Sequence, residues 1–311
     1  MGYLVTTSQL VTDIKNTAYF PVDQNVFTPQ TILDIANDEL YSDILPLFKS
    51  FNEGFYLEVV SQSFVAGQAA YTLPKYAMWN AVYLVQRTTN GIPVWPDYER
   101  IEIVQLSDYQ TNQPSTPIAY YLLNDTVVFV PTPQTGVQYA FNMWIYRRPG
   151  RMVPTSSAAE VLSVNKVTGE VTYTAIPPAT FTATSTHDFY AIQPPFRRLQ
   201  TNITATAIAG AVQTFPVASV QTLSTGDWVC LLDETVIPPV PPEIVPFLKD
   251  LTIKALAKTQ GDYEAYGVQK QEVVDKMKAA IIVPGNRTVG KSKRILAGRN
   301  PLARALPRRF F

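Results

Sequence analysis

Histidine and cysteine are almost absent from this chain of 311 residues, which contains one of each, His187 and Cys230. One cysteine excludes an intrachain disulfide framework, and the two residues together are too few for a zinc site made of several Cys or His ligands. A Ser-His-Asp or Cys-His catalytic arrangement would have to depend on His187 alone. The composition therefore excludes disulfide scaffolds and Cys/His zinc proteins, and it leaves little room for a histidine-dependent hydrolase.

Charged residues and long apolar runs are also scarce. Charged residues make up 16% of the chain, against roughly 25% in an average globular protein. No run of about 18 uninterrupted apolar residues occurs, so we expect no membrane span. The first ten residues lack the basic and apolar regions of a signal peptide, so we expect no such leader. What is present is 46% apolar residues and 25 prolines without a Gly-X-Y period, which predicts a folded chain of about two domains.

The formal net charge of zero conceals two unlike parts. Eight of the 25 basic residues and none of the 25 acidic residues lie in residues 285–311. The other 17 basic residues stand against all 25 acidic ones in residues 1–284, which therefore carry a formal charge of −8. Charge asymmetry of this kind indicates a partner.

Residues 1–66 are predicted to form two or three helices. Apolar residues recur at helical spacing in residues 8–19. Thr28-Pro29 is a typical helix start, because a Thr N-cap is followed by Pro at the first helical position. We expect Pro46 to kink or restart the helix that follows, and the apolar face to continue to about Gln62.

Residues 67–153 are predicted to form an antiparallel sheet, because the apolar period changes from helical to alternating at Gly67. Asn90-Gly91 and Asn124-Asp125 are hairpin turn signals. The predicted strands cover residues 71–74, 81–87, 99–106, 118–123, 126–130 and 137–147.

Residues 154–240 contain two weak repeats that share the frame x-Asp-aromatic-x-x-apolar at Asp188 and Asp227, 39 positions apart. Two copies are too few for a solenoid, so an inserted small β-barrel or sandwich is predicted. Prolines 238 to 242 then lead into residues 241–284, a helix interrupted at Gly261-Asp262 that completes a helical bundle. The predicted fold class is therefore α+β, with residues 285–311 as an extended C-terminal arm.

No residue pattern supports an enzyme, a cofactor or a metal site. His187 precedes Asp188 in an apolar strand, and Cys230 has no neighbouring base, so both are interpreted as structural residues. The acidic pairs Asp38-Glu39 and Asp233-Glu234 have no metal or acid/base spacing, and no phosphate-binding glycine motif occurs. A carbohydrate platform made of Phe189, Tyr190 and Trp228 is an open alternative, although core aromatics explain these rings more simply.

The basic arm has three interpretations. As a docking arm, it would use Arg and aromatic residues as interface anchors. As a nucleic-acid arm, it would neutralise phosphates. As a disordered solubilising tail, it would not need Leu or Phe-Phe. We favour a docking arm, which can reach roughly 90 Å at about 3.3 Å per residue. The candidate anchors are Leu302, Arg304, Leu306, Arg308, Arg309, Phe310 and Phe311.

Short motifs in a fixed order resemble the head-to-tail adaptor, or head completion, proteins of tailed bacteriophages, most closely those of short-tailed phages. Tyr71-Thr72-Leu73-Pro74 resembles a frequent opening of the family's β region. Gly226-Asp227-Trp228-Val229 resembles the pattern before its last helix. The other similar segments are residues 124–133, 139–147, 237–243 and 261–264, whereas residues 285–311 match only as a C-terminal extension.

The resemblance implies a structural virion protein at the capsid–tail junction, assembled in the host cytoplasm. It implies a ring, usually of twelve copies, with helices in the ring wall and β parts that meet tail or nozzle proteins. The C-terminal arm would dock on the portal, and genomic DNA would pass the acidic body without specific binding, with no membrane involved. The alternatives are a nucleic-acid-binding protein that uses the arm and a component of the tail tube or nozzle.

Overall fold

The structure is a computed structural model that describes residues 5–18, 27–51, 54–109, 115–134, 139–192, 198–259 and 271–279. These residues form an α+β fold, with the long helices in one cluster and the strands in several mostly antiparallel sheets. The predicted mixture of helix and antiparallel sheet is therefore confirmed. The segment 285–311 lies outside the described residues, so the extended arm stays a prediction.

The helices begin where local signals place them. The Thr28 hydroxyl accepts a hydrogen bond from the Thr31 backbone N–H, and Pro29 is the first helical residue, as predicted. A π-helical turn, Leu40–Ile44, comes just before Pro46, which has no N–H to continue the regular ladder. The helices are α1 (Thr7–Thr17), α2 (Pro29–Glu39), α3 (Leu45–Phe51), α4 (Leu106–Tyr109) and α5 (Val245–Thr259), and residues 271–279 are also helical.

Helices α1, α2 and α5 pack against one another around a shared apolar core. Apolar residues spaced by three and four place one face of each helix in this core. Residues 271–279 add Val273 and Met277 to it. The side chains in this core with no solvent exposure include Ile14, Ile32, Leu33, Ala36, Leu40, Ile44, Leu248, Leu251, Leu256 and Met277.

Two four-stranded sheets enclose a second core, and together they are called the two-sheet module. One sheet has the order β1-β8-β3-β4 and the other β2-β7-β6-β5. Aromatic residues from both sheets, among them Tyr71, Phe129 and Phe141, meet between them. The strands are β1 (Leu57–Ser63), β2 (Ala70–Thr72), β3 (Ala77–Thr89), β4 (Ile92–Pro93), β5 (Glu99–Arg100), β6 (Ala119–Leu123), β7 (Thr126–Val130) and β8 (Ala140–Arg147).

Two sequence predictions in this region are wrong and two are confirmed. Residues 57–62 do not continue a helix, because they form β1 and pair with β8 along their whole length. Only Glu99 and Arg100 of the predicted strand 99–106 form a strand, since Glu102 and Gln105 form a capping box that starts a helical turn. Asn90, Gly91 and Asn124 have positive φ, as the hairpin signals predicted.

Most of the remaining strands form a small barrel, whereas β9 and β17 pair with each other in a separate two-stranded sheet. The sheet order of the barrel is β13-β12-β16-β10-β11-β15-β14, and only Ala205 and Thr206 separate β13 from β14 in the chain, so the sheet curls back on itself. The two repeat motifs pair with each other antiparallel, with Tyr190 opposite Trp228. The strands are β9 (Arg151–Met152), β10 (Ala159–Asn165), β11 (Glu170–Tyr173), β12 (Thr186–Tyr190), β13 (Arg198–Thr204), β14 (Ala207–Ala209), β15 (Val212–Thr214), β16 (Trp228–Leu231) and β17 (Glu234–Thr235).

Candidate functional site

The barrel is attached to the rest of the fold through two connecting strands that lie side by side. Strand β9 leads into the barrel and β17 leads out of it, and the two pair in parallel. The Arg151 N–H donates to the Asp233 carbonyl at 2.7 Å, and the Val153 N–H donates to the Thr235 carbonyl at 2.9 Å. The two segments that connect the barrel to the helices and the two-sheet module are therefore hydrogen-bonded to each other at one place.

Buried polar side chains of the helices hold these connecting strands. The Asn37 amide donates to the Met152 carbonyl at 3.0 Å and accepts from the Met152 N–H at 2.8 Å. The Thr7 hydroxyl donates to the Val153 carbonyl at 2.7 Å, and the Thr7 N–H donates to the Val236 carbonyl at 2.8 Å. Because buried polar groups need partners, these bonds specify where the helices meet the strands.

Four charged side chains meet where the two-sheet module contacts the barrel, and they are called the charge network. Arg147 contacts Glu58 at 2.6 Å and Asp188 at 3.4 Å. Arg198 contacts both Glu58 and Asp188 at 3.1 Å. Glu58 and Arg147 belong to β1 and β8, whereas Asp188 and Arg198 belong to β12 and β13. Two cations thus alternate with two anions across the boundary between the modules.

Asp188 is the buried centre of this network. Its carboxylate also accepts from the Thr201 hydroxyl at 2.8 Å, the Asn202 N–H at 3.0 Å and the Asp233 N–H at 3.2 Å. Burial raises the pKa of the Asp188 carboxyl, and Arg147 with these donors opposes the rise. Because both oxygens of the Asp188 carboxylate accept hydrogen bonds, Asp188 is suited to fixing the barrel rather than to exchanging protons.

A cleft of about 560 Å³ opens beside the charge network. Its walls are mostly apolar and come from the α3–β1 turn, β13 and the proline-rich segment before α5. The guanidinium groups of Arg147 and Arg198 that line it already contact carboxylates. The apolar residues that line the cleft include Phe55, Leu57, Leu199, Ile237, Pro238 and Pro239. The cleft therefore offers shape and apolar surface more than reactive groups.

The single histidine and the single cysteine are both buried, as their interpretation as structural residues predicts. His187 lies in the barrel interior, whereas Cys230 packs on the other face of β16, with Val153, Val236 and Ile237. His187 has no solvent exposure, and its Nε2 lies 2.7 Å from the Ser185 hydroxyl and 3.0 Å from the Gln213 amide nitrogen. Burial lowers the pKa of His187 to about 4 and raises that of the Cys230 thiol. Both side chains are therefore uncharged at neutral pH.

The carbohydrate platform considered from the sequence is wrong. Phe189 is fully buried in the barrel core, and Tyr190, which is 8% exposed, packs on the other face of the strand against Val153 and Val236. Within the described ranges, no group of three or more His, Cys, Asp or Glu residues could hold a metal ion. Across the same ranges, no helix is long and apolar enough to cross a membrane.

Several of the most exposed apolar side chains of the two-sheet module lie in the segment that follows β4. Trp95 is 85% exposed, Val104 81% and Ile103 55%. Buried Tyr98 and Ile101 anchor the same segment in the two neighbouring cores. We call residues 95–109 the loop platform, since they form a fixed surface with apolar side chains turned toward solvent.

The predicted arm anchors lie beyond the residues that the structure describes, so their role stays a prediction. The charge network, in contrast, was missed. Only Asp188 was noticed, as part of the repeat frame, and Arg147 ends an apolar strand without any marked motif. A signal was present, because charged residues in apolar strands are seldom buried unless they are paired. The partners could not be named, since three of the four pairs join residues 41 to 140 positions apart in sequence.

Comparison with known proteins gives one match. A family model described as SU10 adaptor protein matches residues 6–175, more than half of the chain. The matched region includes α1 to α4, the whole two-sheet module and the barrel as far as β11. No curated protein matches the chain.

Proposed function

The chain belongs to the SU10 adaptor protein family, and we propose that it is the head-to-tail adaptor of a tailed phage, of the short-tailed type. In this proposal it forms a ring, of twelve copies by family resemblance, between the portal and the tail proteins. The match over residues 6–175 carries the proposal, because it covers α1 to α4 and both sheets of the two-sheet module. Adaptors of this kind are structural proteins of the virion and not enzymes.

The arrangement of the modules supports a structural role. Asn37 and Thr7 join the helices to the connecting strands, and the charge network joins the two-sheet module to the barrel. A ring subunit that transmits contacts from one end to the other needs such fixed junctions. We assign the helical cluster to the ring wall, and the sheets and barrel to the attachment of tail proteins.

The arm is proposed to bind the portal. The candidate anchors Arg304, Arg308 and Arg309 would pair with portal carboxylates, and Leu302, Leu306, Phe310 and Phe311 would enter apolar pockets. The acidic body, at −8 over residues 1–284, suits a channel through which DNA slides, because like charges repel. A nucleic-acid-binding role for the arm is the second candidate, favoured by its eight basic residues.

Native mass spectrometry of the full chain, alone and mixed with portal rings, tests the proposal. Replacing Arg304, Arg308 and Arg309 with Ala should weaken portal binding by at least about tenfold, as expected for interface anchors. The matched control replaces Arg287, Lys291 and Lys293 with Ala, which removes the same charge and should cost much less.

Two outcomes would contradict this assignment. If a chain that ends at residue 284 still joined portal rings, the arm would not be the portal-binding element. If DNA bound the full chain near physiological salt with a steep log–log salt dependence, the nucleic-acid role would replace it.

A further inference from the structure

The loop platform carries several of the most exposed apolar side chains of the two-sheet module. Trp95, Ile103 and Val104 are each more than half exposed and lie within ten residues of one another. Scattered apolar side chains need no explanation, but a group on one segment marks an interaction surface. The question is which partner covers it.

The platform is held in place and does not depend on a partner for its shape. Tyr98 and Ile101 are buried, and the Tyr98 N–H donates to the Val85 carbonyl at 3.1 Å. The Tyr109 hydroxyl donates to the Glu99 carboxylate at 3.1 Å. A partner would therefore meet a preformed surface and would lose little free energy in ordering it.

The platform is also acidic. Asp97, Glu99, Glu102 and Asp108 are opposed by a single cation, Arg100, so residues 95–109 carry a formal charge of −3. Apolar side chains among carboxylates suit a segment that alternates cations with Leu and Phe. Residues 285–311 have that composition, with eight cations, no acid, and Leu302, Leu306, Phe310 and Phe311 between them.

We propose that residues 285–311 dock on the loop platform of their own chain before the portal is bound. The arm and the platform carry opposite formal charges, +8 over residues 285–311 and −3 over residues 95–109, which attract each other. A tethered segment also has an effective concentration in about the millimolar range, well above that of other copies in dilute solution. Residues 280–311 span roughly 100 Å when extended, so length does not limit the reach.

Docking of this kind would couple the arm and the platform. The arm's apolar residues stay covered until a portal competes for them, and the platform becomes free when the arm leaves. The inference rests on the proposed function only because both assign a binding role to residues 285–311. Because its test is done without portal, failure here leaves portal binding by the arm untouched.

Site-specific photocrosslinking in the full chain tests the proposal. Val104→p-benzoylphenylalanine places the probe on the platform, and Val167→p-benzoylphenylalanine is the matched control at an equally exposed valine of the barrel, 85% exposed against 81%. Irradiation is carried out at a concentration where native mass shows monomers, and the crosslinked peptides are identified by mass spectrometry.

We expect position 104 to crosslink to peptides from residues 285–311 at least about fivefold more than position 167 does. Raising NaCl to about 1 M should reduce that yield, since salt screens the exposed charges. A second variant, Glu102→Lys with Asp108→Lys, should reduce the crosslinking yield at position 104 about as much as the high salt concentration does. Equal yields from the two probes, or crosslinks that join differently isotope-labelled chains, would overturn the proposal.

Discussion

The two-sheet module and the barrel are similar in strand content but different in the chemistry of their cores. In the two-sheet module, the Phe129 ring meets Phe64, Tyr98 and Phe141 with centroid distances of 4.6 to 5.3 Å. In the barrel, His187 and Gln213 are buried beside the aromatic rings. One core is held by contact area and the other also by specific polar partners. Changes in pH should therefore act on the barrel much more than on the two-sheet module.

Loss of the central ring of the two-sheet module should have the largest effect. Phe129→Ala removes a fully buried ring and leaves a cavity, so we expect a loss of about 4 kcal/mol in the free energy of unfolding. Phe55→Ala is the control, since this ring is 41% exposed, and it should cost at most about 1.5 kcal/mol. Urea unfolding monitored by amide hydrogen exchange separates the modules. Equal loss of protection in the barrel would show that the two cores unfold as one unit.

Removal of the buried carboxylate of the charge network should rank second. Asp188→Ala leaves Arg147 and Arg198 with one shared carboxylate in place of two, and we expect a loss of about 3 kcal/mol. The control is Asp34→Ala, which breaks the exposed 2.7 Å pair with Arg151 and should cost less than about 1 kcal/mol. If the two variants were equally stable in thermal unfolding, the network would not fix the barrel.

A change in pH should have the smallest effect and should act through the barrel. His187 has a pKa of about 4 in the folded chain, below the roughly 6.5 of an unfolded histidine. The unfolded state therefore binds a proton first as pH falls below 6.5, and stability declines until about pH 4. Between pH 7.5 and 5 this linkage amounts to about 2 kcal/mol.

The measurement compares denaturant unfolding of the native chain and His187→Gln at both pH values. The difference in the free energy of unfolding between pH 7.5 and pH 5 should be smaller by about 2 kcal/mol in the variant than in the native chain. Since the chain has one histidine, NMR titration of its imidazole gives the folded pKa directly. A folded pKa near 6.5 would show that His187 does not make the stability of the barrel depend on pH.

Local signals in the sequence predicted local structure well. Thr28-Pro29 gave the start of α2, and Asn90-Gly91 and Asn124-Asp125 gave two turns, because each signal acts within a few residues. Residues 57–62 were assigned to the wrong element, since a short apolar run fits a helix or a strand. Pairing with β8, 79 to 89 positions away, decides the outcome in favour of a strand.

The candidate site was harder to predict than the fold. The shared frame at Asp188 and Asp227 was visible, but the structure gives the two residues different tasks. Asp188 pairs with arginines, whereas Asp227 accepts from the backbone N–H groups of Ser224 and Ile192. A sequence repeat reveals equivalent positions in a fold, and it does not reveal which long-range partners each position meets.

The side-by-side arrangement of β9 and β17 has a consequence for how this protein can change over evolution. Because the chain enters and leaves the barrel at adjacent residues, Arg151 and Asp233, the helices and the two sheets would close in the same way around a longer, shorter or unrelated insertion. Segments with neighbouring ends tolerate such exchange. The barrel can therefore diverge, as its proposed role in the attachment of tail proteins would require, while Asn37 and Thr7 keep the point of attachment and the rest of the chain retains its fold.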